Sequence, residues 1–144
     1  MASGLLCYEN NENFIMKLFI IVSQRLKIVI FTESLKKNYQ FRFVYNKGKS
    51  IANKHLVMYV LKNNSEKNRI GISVSKKVGN SVVRSRVTRL IRESYRLTEE
   101  KLKNGFDIIV IARTSAKGMP YDDICASLKH LLKKHNLFKE KIGQ

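Results

Sequence analysis

Acidic side chains are scarce in this chain of 144 residues: 11 Asp and Glu stand against 28 Lys and Arg, for a formal net charge of +17 at pH 7. A nuclease working through its own metal brings clustered carboxylates, and no such cluster is present. Asp122 and Asp123 fall in the first turn of an expected helix, where they complement its dipole. Asp107 opens an expected strand, where a structural role is the reading. Cysteine is limited to Cys7 and Cys125, too few and too distant for a disulfide framework or a metal site. Both read as reduced cytosolic thiols. The histidines are His55, His130 and His135; the last two are five apart on a lysine-rich helix and do not share a face, so they read as surface groups and not as a metal pair. Gly71, Gly79 and Gly118 form no phosphate loop or dinucleotide fingerprint. The protein alone is therefore expected to bind no metal or cofactor. Tryptophan is absent and Pro120 is the one proline. Lys17, Arg25 and Lys27 interrupt the apolar N-terminal stretch, so no run approaches the roughly 18 residues of a membrane span. Glu9 and Glu12 stand where a signal peptide wants a basic start.

What the chain has in abundance is positive charge, unevenly placed. The length suits one domain, and 44% apolar residues suffice for a compact core. The charge favours a polyanionic partner and opposes tight self-association. Residues 69–103 carry ten basic and three acidic side chains, and residues 32–68 carry eight and two. Residues 1–31 carry only three and two.

Asn38 is a candidate cap and Gly48 a candidate stop for an opening helix. Between them Tyr39, Phe41, Phe43 and Tyr45 alternate as in a strand, while Phe41, Val44, Tyr45 and Gly48 fit helical spacing. Periodicity leaves both open. Strands are expected over residues 50–54, 56–62, 69–75 and 107–113, with a polar hairpin loop at 63–68. Leu56, Met58 and Val60 face one way, and Val57, Tyr59 and Leu61 the other. Ile70, Ile72 and Val74 point inward. The fourth strand is continuously apolar from Ile108 to Ala112, as when both faces of a sheet are covered. A helix capped by Asn80 is expected to reach about Arg96, with a further turn from Thr98 ended by Asn104 and Gly105. The last helix spans residues 121–135, with Ile124, Leu128, Leu131 and Leu132 inward. No internal repeat is present.

The stretch S-K-K-V-G-N-S-V-V-R-S-R-V-T-R-L-I-R-E at residues 75–93 carries the most functional information. A strand runs into Lys76 and Lys77, a turn at Gly79 and Asn80, and an arginine-studded helix. A helix N-terminus with a row of guanidiniums suits a phosphate backbone. At about 100° per residue, Val83, Val87, Leu90, Ile91 and Ser94 fall on one side. Arg89, Arg92 and Arg96 fall opposite, with Arg84 and Arg86 on the flanks. The plain alternative is a solvated charged face, but like charges at i and i+4 cost stability. Only Glu93 stands near to neutralise them. Around the opening helix, Phe41, Phe43, Val44 and Tyr45 interleave with Lys36, Lys37, Arg42, Lys47 and Lys49, and Tyr59 stands on a strand. Rings stack on bases and cations follow a backbone, which suits a single RNA strand. The alternative is that Phe41 and Val44 are ordinary core.

The motif resembles that of the protein subunit of bacterial ribonuclease P, a family with a signature of the form S-K-K-x-G-x-A-x-x-R-N-R-x-K-R-x-x-R-E. Here it stands as Ser75-Lys76-Lys77-Val78-Gly79-Asn80-Ser81, then Arg84-Ser85-Arg86, Arg89, Arg92 and Glu93. Ser81, Ser85 and Thr88 depart from the usual alanine, asparagine and lysine. The resemblance covers roughly residues 32–138. It implies an α/β fold in the order α-β-β-β-α-β-α, a two-layer sandwich on a four-stranded mixed sheet. It also implies a left-handed crossover between the third and fourth strands, against the general rule. It decides for helix across residues 39–47. The family domain is then 32–138, with 139–144 a tail. Residues 1–31 are expected to be an atypical, poorly ordered extension, with Met16 an internal candidate start. The resemblance further implies binding of a catalytic RNA subunit through Lys76, Lys77, Asn80, Arg84, Arg86, Arg89, Arg92 and Arg96. It implies binding of the 5′ leader of precursor tRNA through Phe41, Val44, Tyr45, Asn53, Lys54 and Tyr59. The protein would assist endonucleolytic removal of that leader, with the active site and its Mg²⁺ in the RNA and no catalytic residue in the protein. A cytoplasmic location without membrane or obligate protein partner is expected. Two rivals are a structural ribosomal protein of the same fold and a general single-strand RNA chaperone. The long motif argues against the first; a preference for leader-bearing tRNA would exclude the second.

Overall fold

The computed structural model of the chain describes residues 32–140. The expectations for residues 1–31, Cys7 and Met16 among them, and for residues 141–144 lie outside the described residues. The elements run β1 (Thr32–Ser34), α1 (Asn38–Lys47), β2 (Lys49–Ala52), β3 (Leu56–Lys62), β4 (Asn68–Val74), α2 (Ser81–Thr98), β5 (Phe106–Ala112) and α3 (Tyr121–Lys134), with short 3-10 turns at Glu99–Lys101 and Thr114–Ala116. The four expected strands and three helices are all present, shifted by one or two residues at their ends.

The sheet is mixed and ordered β1-β4-β5-β3-β2. β4 runs parallel to β1 and β5, while β3 is antiparallel to β5 and β2. β5, the last strand in the chain, therefore occupies the centre, and α2 carries the crossover from β4. The fifth strand, β1, adds to the four expected. It has three residues, too few for alternation to be legible, and its partners lie far along the chain. Thr32 Oγ1 donates to Glu99 at 2.8 Å, and the Leu35 N–H donates to the Ile70 carbonyl at 2.8 Å.

One face of the sheet carries Leu56, Met58, Val60, Ile108 and Val110 against α2 (Val87, Ile91) and α3 (Ile124, Leu128, Leu131, Leu132). Ile70, Ile72 and Val74 join this core half-buried. The opposite face packs Ile109 with Val44 and Leu35, flanked by Phe41, Tyr45, Tyr59 and Ile111. So α1 covers the second face and adds a partial third layer to the two expected. The uninterrupted apolar run of β5 has this cause.

Helix ends follow local chemistry. The Asn80 side chain accepts from the Val83 N–H at 3.0 Å, the expected cap of α2. At α1 the cap is Lys37 and not Asn38; the Gln40 Oε1 accepts from the Lys36 and Lys37 N–H groups, each at 3.1 Å. Gly48 ends α1 by donating to the Val44 carbonyl at 2.7 Å. A side chain there would come within 2.6 Å of that same oxygen, so close approach selects glycine. Asp107 is buried and structural: Arg69 grips both its oxygens at 2.7 Å, and Asn63 donates to it at 2.9 Å. Among the described residues no helix is long and apolar enough to cross a membrane.

Candidate nucleic-acid interface

α2 presses Val87, Ile91, Ser94 and Tyr95 into the core and turns Arg86, Arg89 and Arg92 to solvent. Between α2 and β4 lies an open groove of about 540 Å³. Ile72 and Val74 form its sheet wall; Arg84, Thr88 and Arg92, one helical row, form its helix wall with Arg89 beside them. None of its lining residues is acidic. Arg84, Arg89 and Arg92 make no ion pair among the described residues. The Arg84 Nε is buried and has no acceptor among them. Uncompensated guanidiniums along one helical row repel one another, a repulsion that an anion in the groove would relieve.

Three residues of the expected set have partners within the chain. Arg96 pairs with Glu93 one turn back and is mostly buried, so it leaves the solvent-facing row. The Arg86 Nη1 donates to the Met119 carbonyl at 3.1 Å, tying α2 to the segment before α3. The Asn80 acceptor oxygen is committed to the helix cap. Lys76 and Lys77 stand exposed on the turn between β4 and α2. Ser85 and Thr88 both line the groove, and the Thr88 hydroxyl donates to the Arg84 carbonyl at 2.9 Å.

A second basic surface surrounds α1. Phe41 and Tyr45 rings are 6.3 Å apart, and Tyr45 meets Tyr59 edge-on at 5.0 Å. All three are half-buried. Burial pushes the Tyr45 phenol above its usual range, an effect its hydrogen bond with Ser73 partly offsets. A groove of about 370 Å³ runs between α1 and β4 past Phe41, Arg42, Tyr45, Ile72 and Ser73, again without an acidic lining residue. Val44 does not belong to this surface: it is fully buried, and the core alternative holds for it. Asn53 is also displaced. Its Nδ2 donates to the Ser127 carbonyl of α3 at 2.9 Å, and its Oδ1 accepts from the Leu56 N–H at 3.0 Å. It braces the β2–β3 turn on the α3 side of the sheet. Lys54 stands exposed on the same turn.

Arg42, one of the cations named beside the aromatics, lines this groove, and Ser73 is the residue that sequence reasoning missed. Placing Ile70, Ile72 and Val74 inward sends Gly71 and Ser73 to the α1 face by alternation, which was the available signal. Arg42 directly follows Phe41 on the helix. The histidines divide. His130 is exposed, as expected, but His135 is half-buried with its Nε2 3.2 Å from the Met58 carbonyl, and burial lowers its pKa. Among the described residues no group of three His, Cys, Asp or Glu side chains is placed to hold a metal ion.

Known proteins resemble the chain along most of its length. A family profile described as Ribonuclease P matches residues 31–136. The ribonuclease P protein component of Lachnoclostridium phytofermentans is 58% identical over 106 residues, covering 74% of this chain and 91% of that protein. A solved structure of the Staphylococcus aureus RNase P protein is 43% identical with a TM-score of 0.69, covering 74% of this chain and 97% of the other. The RNase P protein from Thermotoga maritima is 30% identical with a TM-score of 0.66, covering 71% of this chain and 96% of the other. By sequence and by fold, the chain belongs to the ribonuclease P protein family.

Proposed function

We propose that the chain holds the RNA subunit of ribonuclease P along α2 and the 5′ leader of precursor tRNA along α1. The observation that carries this is the pair of grooves on either side of β4, one aromatic and one arginine-lined, neither with an acidic lining residue. Lys76, Lys77, Arg84, Arg89 and Arg92 neutralise phosphates of the RNA subunit, with Arg86 at their edge. Phe41, Tyr45 and Tyr59 offer ring surface to leader bases, while Arg42 and Lys54 follow the backbone. The contribution is positioning and charge neutralisation. Mg²⁺ held by the RNA would supply the hydrolytic chemistry; among the described residues of this chain no three His, Cys, Asp or Glu side chains are grouped to hold a metal ion. The protein works in the cytoplasm beside its RNA.

Reconstitution with a ribonuclease P RNA at low Mg²⁺ tests the assignment. The protein is expected to restore removal of the leader and to cut nothing by itself. Cleavage at the mature 5′ end by protein freed of RNA would overturn it, as would co-purification with ribosomal subunits in place of one discrete RNA.

A further inference from the structure

β1 stops at Ser34, opposite Ile70, while β4 continues to Val74. The Leu35 N–H to the Ile70 carbonyl, 2.8 Å, is the last backbone bond on that side among the described residues. In a parallel ladder each residue turns its N–H and C=O to one neighbour, and the next residue turns to the other. Ile70 faces β1, so Gly71 and Ser73 face β5, and Ile72 and Val74 turn outward. The β1–β4 pairing ends at Ile70, so among the described residues no strand receives the Ile72 or Val74 N–H. Folded proteins usually cover or blunt such an edge. Here it is only bordered: the α1 groove lies on one face, the α2 groove on the other, and Ile72 lines both. Arg42 stands on one border and Arg84 and Arg92 on the other. Arg84, whose buried Nε has no acceptor among the described residues, lines this same groove.

We propose that the open edge of β4 is a phosphate-binding strip that carries a single RNA strand from the aromatic groove to the arginine groove. The Ile72 and Val74 N–H groups, about 6.6 Å apart by strand rise, donate to phosphate oxygens. Arg42 and Arg84 flank them with charge, and the bases at one end reach the Phe41 and Tyr45 rings. This rests on the RNA-binding reading above and joins its two surfaces into one track. RNA is favoured over an extended peptide because both borders are cationic and one end is aromatic. A peptide would have to be acidic to match the borders and would leave the rings without partners.

Residue-resolved amide exchange on the full chain tests the strip, free and with an oligouridylate. In the free protein, Ile72 and Val74 should exchange much faster than Gly71 and Ser73. RNA should slow Ile72 and Val74 at least about tenfold and leave Gly71 and Ser73 as they were. Arg84→Gln should reduce that protection while Tyr45 still shifts on binding. Slow exchange of Ile72 and Val74 in the free protein would mean the edge is already covered, and would overturn the strip. Shifts at Tyr45 and Arg89 without protection at the edge would overturn it too, yet leave the RNA-binding reading standing. Absence of RNA binding at every surface would overturn both. Protection by oligoglutamate but not by RNA would assign the edge to a protein partner.

Discussion

At Gly71 the Phe41 ring occupies the space a side chain would need: a Cβ there would lie 2.6 Å from the ring tip. Phe41 is thus partly a floor of the sheet, and removing it opens a cavity as well as a stacking surface. Tyr45 and Tyr59 are cleaner probes. In Tyr45→Ala with Tyr59→Ala, loss of ring surface should weaken leader binding by about 1–3 kcal/mol per stacked base. The readout is the ratio of precursor to mature tRNA affinity in the reconstituted holoenzyme, with a thermal melt beside it. A well-folded double variant that keeps the parental ratio would return both rings to packing. Val44→Ala should behave in the opposite way. Its buried methyls are lost at roughly 1–3 kcal/mol of stability, with the affinity ratio unchanged once folding is accounted for.

Among the elements, α2 shows how the structure narrows a sequence motif. The arginine periodicity was legible, as were the Asn80 cap of α2 and the apolar stripes of α2 and α3, because each is local. What was not legible is which guanidiniums stay available. Helix spacing puts both Arg89 and Arg96 within reach of Glu93, and the fold gives it to Arg96; Arg86 reaches Met119 across 33 positions, a pairing no spacing rule reveals. Asn53 is similar, since its partner Ser127 lies 74 positions away. α1 was ambiguous for another reason: its aromatics satisfy both periods, and the helix resolves them by burying Val44 while Tyr39 and Phe43 remain 64% and 57% exposed. Arg89→Ala is consequently the better test of RNA-subunit binding than Arg86→Ala. It should cost about 1–3 kcal/mol of affinity if the contact is paired, and should flatten the log–log salt slope by about 1. Unchanged affinity and slope would place the interface elsewhere. At the end of α3, burial holds the His135 imidazole below its usual 6.5. The unfolded chain then takes up a proton that the folded chain resists. Stability from this group is complete above pH 6.5 and is lost as pH falls through the depressed value. Denaturant midpoints followed from neutral to acidic pH should drop more for the parent than for His135→Gln; parallel curves would contradict this.

For the molecule as a whole, the match to the family begins at residue 31 and β1 begins at Thr32. A chain shortened to start at Phe31 is expected to fold and to support leader removal. Loss of both, read by melting and by reconstituted cleavage, would assign the preceding residues to the core. The mixed α/β class was legible from the order of local patterns and from resemblance to the family. β1 was not, because three residues show no alternation and their position depends on β4 and Glu99, 34 and more residues away. The sheet order has its own consequence for synthesis. β5 sits between β4 and β3, yet it is made after both. Until residue 112 has left the ribosome, the nascent chain can pair β2 with β3 but has no centre on which to join that hairpin to β4. The apolar faces of β3 and β4 must wait uncovered through about a quarter-minute or less of elongation, with α3 later still. Folding of the sheet therefore waits until β5 has been made, and during that wait the dense positive charge of the middle segment keeps neighbouring nascent chains apart.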